Sequence, residues 1–207
     1  MNVHSQFYFL AVISMKRDKP KFKQIIDAAV VVIAENGYHQ AQVSKIAKQA
    51  GVADGTIYLY FKNKEDILIS VFQEKMGLFV DNLKGIINDG TTSSDKLLKM
   101  IENHFNVLGT DHHLAIVTQL ELRQSNIEIR LKINEVLKEY LMLLDDILIE
   151  GKENGEFQED LDIRLARHMV FGTIDETLTT WVMNEQKYDL MSLAPKVHQL
   201  LLRGMKA

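Results

Sequence analysis

The stretch QVSKIAKQAGVADGTIYLYFKNK, residues 42 to 64, constrains this chain more than any other part of it. Ala47 and Gly51 stand four apart, with Ile46, Val52 and Ile57 around them. Two short helices that cross closely need a small residue at the crossing, which Ala47 supplies. The turn between them needs a positive φ, which Gly51 adopts at no steric cost. Ile46, Val52 and Ile57 then lock the second helix against the first. The polar remainder of that second helix (Ala53, Asp54, Gly55, Thr56 and Tyr58) is left free to enter a DNA major groove. The competing reading is an αα-hairpin inside an ordinary bundle, but the residues that follow have no use in one.

Tyr58, Tyr60 and Phe61 crowd the end of the second helix, and Lys62 and Lys64 follow at once. Three buried aromatics would overfill so small a domain. Phe61 is therefore read as the core anchor, and Tyr58 and Tyr60 as hydroxyls offered to phosphate oxygens. Asn63 is a good N-cap for the next helix, with Asp66 at its third position. Lys64 then stands at a helix N-terminus, where the dipole and free amides already favour a phosphate.

The segment AGVADGTIYLYFKNKEDIL resembles the DNA-binding signature of the TetR family of bacterial one-component regulators. The Ala-Gly-Val turn, the Gly-Thr-Ile-Tyr helix, the Tyr-Phe pair and the start at Lys64, Glu65 and Leu68 are all in register. The chain departs from the pattern at Ala41 and Gln42, where that family commonly has threonines. Gln42 can still donate a hydrogen bond to a phosphate, in place of the threonine that can cap the first motif helix in that family.

Charge is distributed unevenly. Residues 16 to 64 hold nine Lys and Arg against four acids, a net +5 within a chain of net charge −4. The remainder therefore carries −9. A basic N-terminal unit on an acidic body suits a DNA reader with a separate second function. Simple solvation accounts for the run Lys16 to Lys23 but not for the whole asymmetry. Two prolines in 207 residues favour an all-α protein. The absence of cysteine excludes disulfides and thiolate metal sites and suits a reducing, cytoplasmic setting. Phe7 to Ile13 is an apolar run with no Lys or Arg before it, too short to span a bilayer and unlike a signal peptide. Met15-Lys16-Arg17 reads as the natural start, making residues 1–14 an N-terminal extension; a short lipid-interacting helix is the competing reading.

Apolar periodicity predicts nine helices: Pro20 to Asn36, the two of the motif, Lys64 to Asn88, 93–108, 112–123, 126–153, 161–185 and 189–204. The expected division is a three-helix helix-turn-helix domain over 15–63 and a helical ligand-binding and dimerisation bundle over 64–207. No catalytic constellation or phosphate-cradling glycine loop is present, so no enzyme is expected. His104, His112 and His113 could meet across a turn as a zinc or haem site, but polar or ligand-facing roles are preferred and no metal site is assigned. Asp175 and Glu176 are read as polar interface contacts. The apolar faces of helices 8 and 9, with Phe171, Ile174, Leu178, Trp181 and Val182 on one and Leu190, Leu193, Val197, Leu200 and Leu201 on the other, exceed the needs of one bundle. They predict a homodimer.

From Met15 onward the chain also resembles a narrower group, the FadR-like TetR-type repressors of fatty-acid degradation genes in Bacillus and relatives. The likeness includes QLELRQSN and FGTIDETLTTWVMN. It implies a repressor of palindromic operators, released by a long-chain acyl-CoA and needing no cofactor. The acyl chain would lie among Phe79, Leu83, Phe105, Leu108, Ile116, Leu120, Phe171 and Ile174. Arg123 and Arg130 would meet the phosphates, unless they pair with Glu121 and Glu128 instead. A TetR-type regulator of another hydrophobic ligand, or an acyl-chain carrier with a vestigial reader, remain the alternatives.

Overall fold

The computed structural model describes residues 20–88 and 91–206. The extension expected over residues 1–14 lies outside the described residues. Among those described there are nine α-helices and one short 3-10 turn, with no strand beyond an isolated bridge between Phe157 and Lys206. The helices are α1 (Pro20–Gln40), α2 (Val43–Gln49), α3 (Asp54–Tyr60), α4 (Lys64–Asn88), α5 (Ser93–Thr110), α6 (His112–Glu121), α7 (Ile127–Glu153), α8 (Ile163–Met183) and α9 (Ala194–Met205). The all-α reading holds. No helix among the described residues is long and apolar enough to cross a membrane.

The chain divides into two compact units between Glu74 and Lys75. That boundary lies inside α4, not at its start, because the first turns of α4 belong to the N-terminal core. Ile67, Leu68, Val71 and Phe72 are buried there with Phe22, Ile26, Ile46, Ile57 and Phe61. α1 stops at Gly37, which leaves the helical region and is followed by one further turn.

The α2–α3 turn follows from its sequence. Gly51 sits at φ 64, its amide donates to the Lys48 carbonyl, and the Val52 amide donates to that of Ala47. This pair of bonds is a Schellman stop, and only glycine holds its left-handed residue without strain. The Gln24 amide reaches the Ala50 carbonyl at 2.7 Å and ties α1 to the same turn.

In the C-terminal unit, α5 packs on α6, α7, α8 and α9. Each preceding break supplies a cap. The Thr92 hydroxyl accepts from the Asp95 amide, Asp111 from Leu114, Asn126 from Glu128 and Ile129, and Asp162 from Leu165. The Glu156 carboxylate also accepts from the Ser93 and Ser94 amides at 3.0 Å each, closing the α5 N-terminus from the α7–α8 connection. Beside it, the buried Phe157 ring lies on Gly151 so closely that a Cβ there would stand 2.3 Å from it. The last predicted helix begins later than expected. A 3-10 turn over Met191–Leu193 precedes α9, which carries Pro195 in its first turn.

Candidate functional site

In the N-terminal unit α3 buries Ile57 and leaves Ala53, Asp54, Gly55 and Tyr58 exposed, with Thr56 half-buried. Leu59, which sequence reasoning passed over, is 67% exposed on the same short helix. Phe61 is the core anchor, stacked on Phe22 with ring centroids 5.1 Å apart. Tyr60 is half-buried and leans on the same Phe22 ring at 6.4 Å. Gln42 occupies the N-cap position of α2 without a side-chain capping bond, and it is exposed. Asn63 caps α4 through the Asp66 amide at 2.8 Å, while Asp66 accepts from the Lys62 amide.

Lys64 opens α4, at the helix N-terminus where the sequence reading put it, and its side chain turns back to the end of α1. Its ammonium donates to the Tyr38 and His39 carbonyls at 3.0 and 2.9 Å and lies 4.7 Å from the centre of the Tyr38 ring. A cation at the open end of α1 is favoured by the unpaired carbonyls there. The side chain is thus a structural tie before it is anything else.

In the C-terminal unit the buried members of the expected apolar set are Phe79, Leu83, Phe105, Leu108 and Ile174. Ile116 and Phe171 are half-buried. Leu120 is 50% exposed in the protomer. Inside the apolar set lies a polar pair that periodicity had hidden. His104 Nδ1 and the Tyr140 hydroxyl meet at 3.1 Å, fully enclosed, with Phe79 against both rings and Phe171 against Tyr140. Tyr140 falls in the α7 stripe with Ile133, Leu144 and Ile147, where an aromatic reads as plain core. Burial, with the charge of Asp175 behind it, pushes the Tyr140 phenol well above its ordinary range.

Both arginines have partners within the protomer. Arg123 in the α6–α7 turn donates to the carboxylate of Asp175 on α8, and Arg130 donates to the Gln124 carbonyl of the same turn at 3.1 Å. Asp175 is therefore an interior partner of Arg123 and not an interface contact. The histidines also part company. His104 is on Tyr140, whereas His112 lies edge-on to Trp181 at 5.5 Å.

Residues 25–71 match the family described as bacterial regulatory proteins, tetR family, and residues 72–204 match that described as YsiA-like protein, C-terminal region. The fatty acid metabolism regulator protein of Bacillus subtilis (strain 168) is 66% identical over 191 residues, which cover 92% of this chain and 98% of that one. This chain belongs to the TetR family. Among solved structures, FadR from Bacillus subtilis in complex with stearoyl-CoA is similar at 67% identity and a TM-score of 0.86, covering 88% of this chain and 98% of that one. FadR from Bacillus halodurans, a fatty acid degradation regulator, is similar at 66% identity and TM-score 0.86, over 89% of this chain and 100% of its own. The regulator is thus a DNA-binding protein and not an enzyme.

The outer side of this TetR-family protein's α8 differs from the face expected for dimerisation. Ile174, Leu178 and Trp181 are buried in the protomer, as are Leu190, Val197 and Leu201. What remains outside is Leu165, Met169, Gly172, Thr173, Glu176 and Thr180, together with Leu200 of α9. A groove of ≈ 640 Å³ runs along this side, lined in part by His168, Met169, Gly172 and Tyr188. The Thr173 and Thr177 hydroxyls donate to the Met169 and Thr173 carbonyls at 2.6 Å, which satisfies them within their own helix.

The enclosed histidine carries a pH signature. Burial lowers the His104 pKa from 6.5 to about 4, so the folded protein keeps it neutral where the unfolded chain takes up a proton. Stability is undiminished above the unfolded value and declines as pH falls toward the folded one. Urea unfolding near pH 7.5 and near pH 5 should show a His104-dependent loss of about 2 kcal/mol. In His104→Asn that share of the loss should vanish.

Proposed function

We propose that this regulator is a cytoplasmic homodimeric repressor of fatty-acid degradation genes, binding palindromic operators and released by long-chain acyl-CoA. The observation that carries the effector is the buried set of Phe79, Leu83, Phe105, Leu108 and Ile174, next to a turn where Arg123 and Arg130 converge. An acyl chain suits the first and phosphates suit the second. The stearoyl-CoA found with the similar Bacillus subtilis FadR supports this choice. Ile116 and Phe171, half-buried at the edge of the set, complete the proposed lining.

On the DNA side, Gly55 and Thr56 approach base edges, with Ala53 and Asp54 beside them at the start of α3. Gln42, Tyr58 and Tyr60 hold phosphates. Lys64 joins them only by sharing its ammonium with the Tyr38 and His39 carbonyls. A Cβ at Gly55 would meet no atom within 4 Å, so a larger side chain fits the free protein. Gly55→Leu should therefore keep the parent's thermal unfolding midpoint yet lose specific operator binding in a gel-shift titration. Normal operator affinity would displace α3 from the groove.

The dimer is proposed through the outer side of α8 with α9. Leu193 is half-buried and Leu201 buried in the protomer, so charges at those positions would damage its own core. Met169, 49% exposed at the centre of the face, is the informative position. Sedimentation of Met169→Glu should show monomers with greatly weakened operator binding, since a single half-site cannot supply the affinity of two. An unchanged dimer would move the interface elsewhere.

The effector is tested by fluorescence anisotropy of labelled operator DNA. Stearoyl-CoA should release it at micromolar concentration, while free CoA and butyryl-CoA at the same concentration should not, because each buried methylene contributes about 0.8 kcal/mol. Equal release by free CoA would refute the acyl-chain reading. Binding without sequence preference would instead indicate a carrier.

A further inference from the structure

The pair between Arg123 and Asp175 is lopsided. The Arg123 side chain is 62% exposed, whereas that of Asp175 is 7% exposed. An exposed guanidinium is stabilised by water whatever it touches. A buried carboxylate is not, and it depends on its donor. Removing Arg123 from Asp175 therefore costs the protein far more than it costs the arginine. Any anion arriving at Arg123 must compete with a partner already in place, held at high effective concentration by the fold.

That competition treats the two forms of a fatty acyl ligand differently. A free fatty acid offers one carboxylate, of the same charge and fork geometry as Asp175, and gains little by exchanging with it. A CoA ester offers several phosphate charges and can engage Arg130 at the same turn while it draws on Arg123. We infer that Asp175 is a specificity-determining residue, a built-in competitor that keeps Arg123 closed to monoanionic fatty acids and open to the polyanionic acyl-CoA. It selects through Arg123 and need not touch the ligand.

The inference rests on the acyl-CoA reading above, and the experiment separates the two. Calorimetric titration of the full chain compares stearate with stearoyl-CoA. In Asp175→Asn the guanidinium loses its charged competitor, so stearate should gain about tenfold in affinity relative to stearoyl-CoA, the size of one charge-assisted contact. Adding Arg123→Gln to that variant should abolish the gain. Arg123→Lys changes only the exposed partner, keeps the cation and loses the fork, so it should shift the preference the same way by a smaller factor. It also serves as the test if Asp175→Asn fails to fold. A lost side chain with a merely structural role would weaken both ligands together and leave their ratio unchanged. Failure of stearoyl-CoA to bind the parent would overturn the functional reading. Parent binding with an unchanged ratio in both Asp175→Asn and Arg123→Lys would overturn this inference alone.

Discussion

A helix packed by its neighbours on most sides has little room for a polar group without an internal partner, and α5 is such a helix. It touches α6, α7, α8 and α9, and its buried residues include Ser93, Asn103 and His104 as well as Leu97, Met100, Ile101, Phe105 and Leu108. The Asn103 amide nitrogen has no hydrogen-bond partner, but the other buried polar groups find internal ones. At the N-terminus the answer is Glu156, whose carboxylate takes the Ser93 and Ser94 amides. His198 is at the same place, with Nε2 at 2.9 Å from the Ser94 carbonyl. Midway the answer is Tyr140, the hydrogen-bond partner of His104. The polar station inside the apolar body is therefore a consequence of how completely α5 is enclosed.

The same enclosure links the station to its surroundings. Phe79 of α4, His104 of α5, Tyr140 of α7 and Phe171 of α8 form one run of ring contacts at 5.2 to 6.0 Å. Edge contacts of this kind fix ring orientation as well as burying area. Any displacement of one ring here is felt by rings held on four different helices. The set behaves as a single packed unit, since cores this dense rearrange between discrete packings and do not yield gradually.

What could be read from the sequence was mostly local. Gly51, Ala47, Phe61 and the Asn63–Asp66 cap act through bonds spanning five residues or fewer or through plain burial, and residue type and spacing determine both. Lys64 could not be read this way, because its carbonyl partners lie 25 and 26 residues back at the end of α1. Arg123 and Asp175 stand 52 apart, and nothing in either neighbourhood points to the other. On α9, periodicity marked an apolar stripe but could not say which edge the protomer uses for itself. Leu201 turned inward and Leu200 stayed out, one residue apart.

Asp175 and Glu176 show why such a distinction lies beyond pattern reading. As neighbours in sequence they look like one acidic feature on an apolar helix. Successive residues on an α-helix turn by about 100°, so on α8 they face different surroundings. Asp175 is buried against Arg123, and Glu176 lines the outer groove with Met169, Gly172 and Thr173. The helix is a shared wall, with the enclosed polar line on one side and an open face of small and apolar side chains on the other. Thr173 and Thr177 suit that second side because their hydroxyls are spent on their own backbone, which leaves methyl groups available for packing. One helix can thus meet two demands of different chemistry because its period assigns adjacent residues to different environments.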